Sequence, residues 1–190
     1  MISRRETLRR VAGSGIAAAA LWQTRAFAAT FLDIEQAQKL LLPQASSFVG
    51  VPLDLDAGLM AELRAVSRSP LTRGFSPQAW AGMADGQRVG WVLGDRVVGK
   101  FELIDYAAGF GPDGSMTGIE ILAYRESHGA EIRTPAWRRQ FVGRKGPDQL
   151  RFGEDIRGIA GATMSCEHVT EGAQRLSVIV QHLASKPARS

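Results

Sequence analysis

Cysteine is almost absent from this chain. Its 190 residues include one, Cys166, so no intramolecular disulfide can form and a fold stapled by cross-links is excluded. The three histidines, His128, His168 and His182, stand apart from one another. With a single cysteine they offer neither a metal-ligand cluster nor a Cys-x-x-Cys-His haem site. Lacking a histidine partner at a recognisable spacing, Cys166 reads as a small packed residue rather than a nucleophile. The apolar run from Val11 to Leu21 falls well short of the roughly 18 to 20 residues a membrane-spanning helix needs. Internal repeats and low-complexity tracts are missing as well. Charge of one sign is lacking over most of the length. The net charge is +4, and residues 1–28 account for all of it, with Arg4, Arg5, Arg9, Arg10 and Arg25 against Glu6. The remainder is near neutral with acids and bases interspersed, which gives no case for nucleic-acid binding.

What is present begins with an address. Ser3-Arg4-Arg5-Glu6-Thr7-Leu8 is a twin-arginine pattern, followed by the short apolar run and by Ala26-Phe27-Ala28, a small-x-small cleavage site. A charged segment, a brief apolar segment and such a site describe a removable export signal. The expectation is a twin-arginine export signal peptide over 1–28, cleaved near Ala28, and a mature protein in the periplasm or an equivalent exported space. Residues 29–190 are enough for one domain with a real core.

Helix signals frame this domain. Asp33 can cap a helix running to Leu42, where Pro43 stops it, with Ile34, Ala37, Gln38 and Leu41 on one face. Leu59, Leu63 and Val66 recur at helical spacing in a second helix over Ala57–Val66, capped by Asp56 or Asp54. Residues 67–76 read as a loop. A short helix follows Thr134-Pro135 and carries Trp137 and Phe141. A final helix over Ser165–Leu183 places Val169, Ala173, Leu176, Val180 and Leu183 on one stripe. Between these lie strands: 87–93 and 97–101, broken by a turn at Gly94-Asp95-Arg96, then 102–110 and 117–124 around Gly111-Pro112-Asp113-Gly114. The fold class is α+β: a single domain, 29–183, in which an antiparallel meander is covered by the N-terminal and C-terminal helices. Residues 184–190 read as a flexible tail.

The richest stretch is Asp155-Ile156-Arg157-Gly158-Ile159-Ala160-Gly161-Ala162-Thr163-Met164-Ser165. A Gly-Ala-Thr turn runs straight into the last helix. Gly161 and Ala162 let the backbone approach a ligand closely, and Thr163 presents a hydroxyl where free N–H groups and the helix dipole favour an anion. That suits a phosphate, hydrogen-bonded or esterified. The stretch resembles the attachment site of the FMN-binding domain family, in which a threonine carries FMN through a phosphoester bond. Flavoprotein subunits of the sodium-pumping quinone reductase and of related redox pumps belong to that family. Where the family motif has an acid this chain has Arg157, and where it has Ser or Thr this chain has Ala160. Asp155, two residues upstream, can supply the missing charge.

The resemblance covers roughly 89–183 and is nearest to small exported FMN-binding proteins. Gly111 to Gly129 is similar to the family's hairpin and flavin-proximal loop, with Glu126-Ser127-His128-Gly129 where many members read Glu-Thr-Pro-Gly. It implies covalent FMN on Thr163, with Gly161, Ala162 and Ser165 at the phosphate end. Glu126, Ser127, Gly129 and Glu131 would sit at the ring edge, where a carboxylate lowers the potential, while His128 falls at the surface or at that edge. Met164, Trp137, Phe141 and Leu122 are candidates for the apolar ring surface, or core. It also implies two kinds of partner, a flavin transferase and membrane or periplasmic electron donors and acceptors. Three functions remain open: an electron-transfer flavoprotein, a flavin-dependent oxidoreductase with its own small-molecule substrate and His128 as proton donor, and an exported ligand-binding domain without flavin.

Overall fold

The computed structural model describes residues 29–69 and 71–185, so the expected export signal at 1–28 and the last five residues of the expected tail lie outside the described residues. The chain begins with a two-residue strand, β1 (Ala29–Thr30), and then helix α1 (Ile34–Leu41). Asp33 caps α1 reciprocally: its carboxylate accepts the Gln36 N–H at 2.7 Å, and the Gln36 side chain accepts the Asp33 N–H at 3.1 Å. Strand β2 (Ser47–Val51) leads to α2 (Ala57–Val66), whose first turn is closed by Asp56 accepting the Leu59 N–H at 2.8 Å.

Four further strands follow: β3 (Gln78–Ala84), β4 (Gln87–Val98), β5 (Leu103–Phe110) and β6 (Met116–Tyr124). The sheet order is β1-β6-β5-β4-β3-β2, antiparallel throughout. It is a sequential meander with β1 added beside β6. After β6 come short helical turns, including α3 (Pro135–Arg138), and then the long helix α4 (Thr163–Ser185). Ala37, Leu41 and Leu42 from α1 and its end cover one face, against Val92 and Ala107. On the other face, Val169, Ala173, Leu176 and Val180 of α4 join Leu59 and Leu63 of α2 over Leu93, Tyr106, Phe110 and Ile119. The α+β expectation holds, and the two terminal helices cover opposite faces.

Several local readings are corrected. Gly94-Asp95-Arg96 is not a turn; it sits inside the continuous strand β4. Alternation along the strand sends Asp95 toward α4, where it pairs with Arg175 at 3.3 Å, and Arg96 to the opposite face, where it pairs with Asp105. The second strand of that reading ends at Val98, so Phe101 belongs to the β4–β5 turn. Strands β2 and β3 were not anticipated. Yet Asp85 (φ 49°) and Gly86 (φ 74°) form the tight β3–β4 turn, the strongest short hairpin signal a sequence carries. Helix α4 starts at Thr163, two residues earlier than its periodicity suggests, and its helical hydrogen bonding carries on through Ser185, into the segment read as tail.

Candidate functional site

The site forms where the loop after β6 meets the start of α4. Each side of that junction is held from behind. The Trp137 indole N–H donates to the Arg157 carbonyl at 2.9 Å, and the Gln140 side chain accepts the Arg157 N–H at 2.9 Å. These bonds fix the chain entering the Gly-Ala-Thr turn. The turn closes with the Ala162 N–H donating to the Ile159 carbonyl at 3.0 Å, with Gly161 at φ 84°, where a side chain would be strained. The first helical bond of α4 runs from the Cys166 N–H to the Ala162 carbonyl at 2.9 Å. The N–H groups of Thr163, Met164 and Ser165 thus precede the helical ladder and face outward as donors.

On the other side, the Tyr124 hydroxyl donates to the His128 carbonyl at 2.5 Å and lies 3.2 Å from the Ser165 Oγ. One phenol at the end of β6 therefore ties the loop to the first turn of α4. Burial holds its pKa above the ordinary tyrosine value, so it stays a donor at neutral pH. Gly129 (φ 88°) packs against the same place: a Cβ there would fall 2.6 Å from both the Ala162 Cβ and the Tyr124 hydroxyl. The loop is glycine at this point because the turn leaves no room for anything larger.

Two contiguous grooves result. One, of about 360 Å³, is lined by Lys100, Phe101, Glu126, Ser127, His128 and residues 161–165. The other, of about 330 Å³, is lined by residues 127–131 with Ala160 and Gly161. They share Ser127, His128 and Gly161, and each is within the ~300–1,000 Å³ typical of small-molecule clefts. Thr163 is exposed at the first, whereas Ser165 is almost wholly buried beneath it. The Ser127 hydroxyl lies 2.9 Å from the His128 Nδ1. All eight site residues expected from the sequence line one groove or the other.

Others fall elsewhere. Trp137 and Phe141 are core residues, in edge-to-face contact with ring centroids 5.0 Å apart. Leu122 packs on the α1 face of the sheet, away from the grooves. Met164, 42 % exposed, remains the apolar candidate that faces out. Asp155 does not stand in for the missing acid: its carboxylate accepts from the Arg151 backbone and guanidinium, both at 3.0 Å, and pairs with Arg144. Cys166 is fully buried, and burial pushes its thiol up to about 11, so it is inert as a nucleophile at neutral pH. Lys100 and Phe101 were missed. The signal was there, since Gly-Lys-Phe-Glu between two apolar runs is a hairpin connection with an aromatic at its tip.

An exposed threonine, free donors at a helix start and a cleft with an apolar wall fit a phosphorylated aromatic cofactor. Residues 99–177 match the family model described as the FMN-binding domain. Over residues 99–177 the chain carries the pattern of an FMN-binding domain. The matched segment spans both halves of the site, from Gly99 in the β4–β5 turn through the Glu126–Gly129 loop and Thr163 to Ser177 in α4. FMN is accordingly the cofactor class, which sets aside the flavin-free reading. No curated protein matches the chain.

Proposed function

We propose that this FMN-binding domain is an exported electron-transfer flavoprotein whose FMN is esterified to Thr163. The observation that carries the reading is the exposed Thr163 at the first turn of α4, beside the groove bounded by the Glu126–Gly129 loop. Bound FMN supplies reversible uptake and release of electrons. Thr163 supplies the anchor: its Oγ1 attacks the flavin phosphorus of a donor activated as a phosphoanhydride and carried by a transferase. The new oxygen–phosphorus bond replaces the anhydride bond, the other phosphate of the anhydride departs as the leaving group, and the hydroxyl proton passes to a base. The first-turn N–H groups neutralise the phosphate. Glu126 and Glu131, as carboxylates along the grooves, disfavour negative charge on the ring and hold its potential down. Membrane or periplasmic donor and acceptor proteins complete the circuit.

Intact mass of the mature protein, made with and without a flavin transferase, tests the anchor. The flavin increment is expected with the transferase, mapped to Thr163, absent from Thr163→Val and partly retained in Thr163→Ser. Restoring the family pattern with Arg157→Asp and Ala160→Ser should raise the loaded fraction. Flavin that survives denaturation on Thr163→Val, or maps to Ser165, sinks the assignment. Export is tested separately. Replacing Arg4 and Arg5 together by lysine should strand precursor in the cytoplasm, and normal processing of that variant would end the twin-arginine reading.

A second reading, a flavin enzyme with its own substrate, is favoured by one feature. His128 borders both grooves with its Nδ1 against the Ser127 hydroxyl, a position from which an imidazole can donate a proton. Turnover of a small molecule without any partner protein would select it over the carrier.

A further inference from the structure

The β4–β5 turn, residues 99–102, is braced from two directions although it lies on the surface. Within the turn the Gly99 N–H donates to the Glu102 carbonyl at 2.7 Å. From the loop after β6, the Glu126 Oε1 accepts the Phe101 N–H at 2.6 Å and the Glu102 N–H at 3.0 Å. From α4, the His168 Nδ1 lies 2.6 Å from the Val98 carbonyl and 3.2 Å from that of Gly99, donating into the pair. Gly99 is part of the brace. A Cβ there would stand 2.6 Å from the Glu126 Oε1 and 3.0 Å from the Ile104 Cδ1, so the glycine leaves room for the carboxylate. A carboxylate that accepts two backbone N–H groups makes stronger bonds than a neutral acceptor would. That is an expensive way to hold an exposed turn.

What the brace holds up is Phe101. Its side chain is 75 % exposed, the most exposed of the large apolar residues described, and the Lys100 ammonium lies 5.0 Å from its ring centroid. Met164, directly after Thr163, borders the same groove and is 42 % exposed. Single exposed apolar residues are ordinary, but two on one polar-rimmed cleft, one of them on a fixed turn, mark a surface that is covered in use. We propose that Phe101 is the aromatic wall on which the flavin ring stacks, with Met164 bordering the same cleft, and that Glu126 is the positioning residue that fixes the Phe101 turn. This rests on the FMN reading above. It adds to it a ring-contact residue, Phe101, and a structural job for Glu126.

The substitutions separate wall from brace. An indole stacked on a flavin quenches its emission by electron transfer at contact, so Phe101→Trp should lower flavin fluorescence about tenfold at unchanged flavin content, since offset stacking brings the two rings into van der Waals contact. Phe101→Ala should make the flavin several times more accessible to iodide. Glu126→Ala should reproduce that exposure with Phe101 intact, while Glu126→Gln, which keeps an acceptor oxygen, should restore most of the protection. In the flavin-free protein, amide exchange at Phe101 and Glu102 should accelerate in Glu126→Ala and stay near wild type in Glu126→Gln. Loaded Phe101→Trp that fluoresces like wild type overturns the wall. Unchanged exchange in Glu126→Ala overturns the brace. A wild-type protein that takes up no flavin by mass or absorbance fails at the FMN reading, and the exchange measurement still decides the role of Glu126.

Discussion

Two stretches of helix α4 handle polar groups in opposite ways. At its start, Thr163 faces a groove with an exposed hydroxyl and with N–H donors that precede the helical ladder. A little over three turns on, Arg175 is 1 % exposed and spends its guanidinium on protein: it donates to the Ser67 Oγ at 2.7 Å, the Ser69 carbonyl at 2.8 Å and the Asp95 carboxylate at 3.3 Å. Asp95 also accepts from the Tyr106 hydroxyl at 3.0 Å. Gly172 makes that possible, because the Tyr106 hydroxyl occupies the space a Cβ would need. Glu171 adds a bond from the Ser69 N–H at 2.7 Å. Polar capacity left open to solvent is available to a ligand, whereas polar capacity turned inward joins the loop after α2, β4 and α4 into one body. Buried charge in this helix is therefore a mark of architecture, and its start is where polar groups without partners among the described residues remain open to a ligand.

The sharpest way to break that contrast is Arg175→Ala. Removing one member of a buried pair leaves the other charge unpaired, which typically costs about 3–5 kcal/mol, and Asp95 is only 2 % exposed. Denaturant unfolding of the flavin-free protein should show a loss of that size. The pair itself is not an efficient source of stability. Burial raises the Asp95 pKa despite the attraction of Arg175, and the Asp95 Oδ1 and the Arg175 Nε find no partner among the described residues. Replacing both, Asp95→Leu with Arg175→Met, should accordingly recover most of the loss. Thr163→Val supplies the other half of the comparison, an exposed substitution expected to change stability by no more than about 0.5 kcal/mol while it removes the proposed attachment point for flavin. If Arg175→Ala proves as mild as Thr163→Val, the division of labour along α4 is wrong.

The same contrast explains how far the sequence could be read. Asp33, Asp56 and the apolar stripe of α4 are local signals, and the helices they announce are present, with α1 and α2 at the expected bounds. The Gly-Ala-Thr turn and the Glu126–Gly129 loop are local too, and both reach the site. Gly94-Asp95-Arg96 failed because its chemistry is that of a turn. What makes it strand is Arg175, eighty residues downstream, together with the pairing of β4 to β3 and β5. The choice between ring surface and core for Leu122 was left open for a related reason. Which face of β6 it occupies depends on register shifts against β5, between Asp105 and Tyr106 and between Gly109 and Phe110, and no composition rule announces a bulge. Glu126 was legible as a residue of the loop, but its two N–H partners come from the turn after β4, which sequence alone does not bring near.

A third ionic cluster extends the comparison to intermediate depth, with the smallest expected effect. On the α1 face, Asp105 is bonded by Arg96 and, at 2.7 Å, by Arg125, which also donates to the Leu103 carbonyl at 3.1 Å. Its side chain keeps 18 % of its exposure. Burial alone would raise this carboxyl, but the hydrogen bonds and charges of Arg96 and Arg125 outweigh it and the pKa lies below the ordinary 3.8. Asp95, deeper and facing a single arginine, moves the other way. The signs give opposite linkages. A depressed carboxyl contributes stability that is complete above its unfolded pKa and is lost as pH falls through the folded value. A raised one opposes folding when ionised, and protonation on acidification relieves it. Asp105→Asn should therefore cost about 1 kcal/mol at neutral pH, near the upper end for partly exposed ion pairs. The cost should shrink toward zero as pH drops below the carboxylate range. Unfolding of both proteins across that range would show the curves converging at acid pH. Parallel curves would mean that Arg96 and Arg125 hold the sheet through packing and backbone contacts rather than through the Asp105 charge.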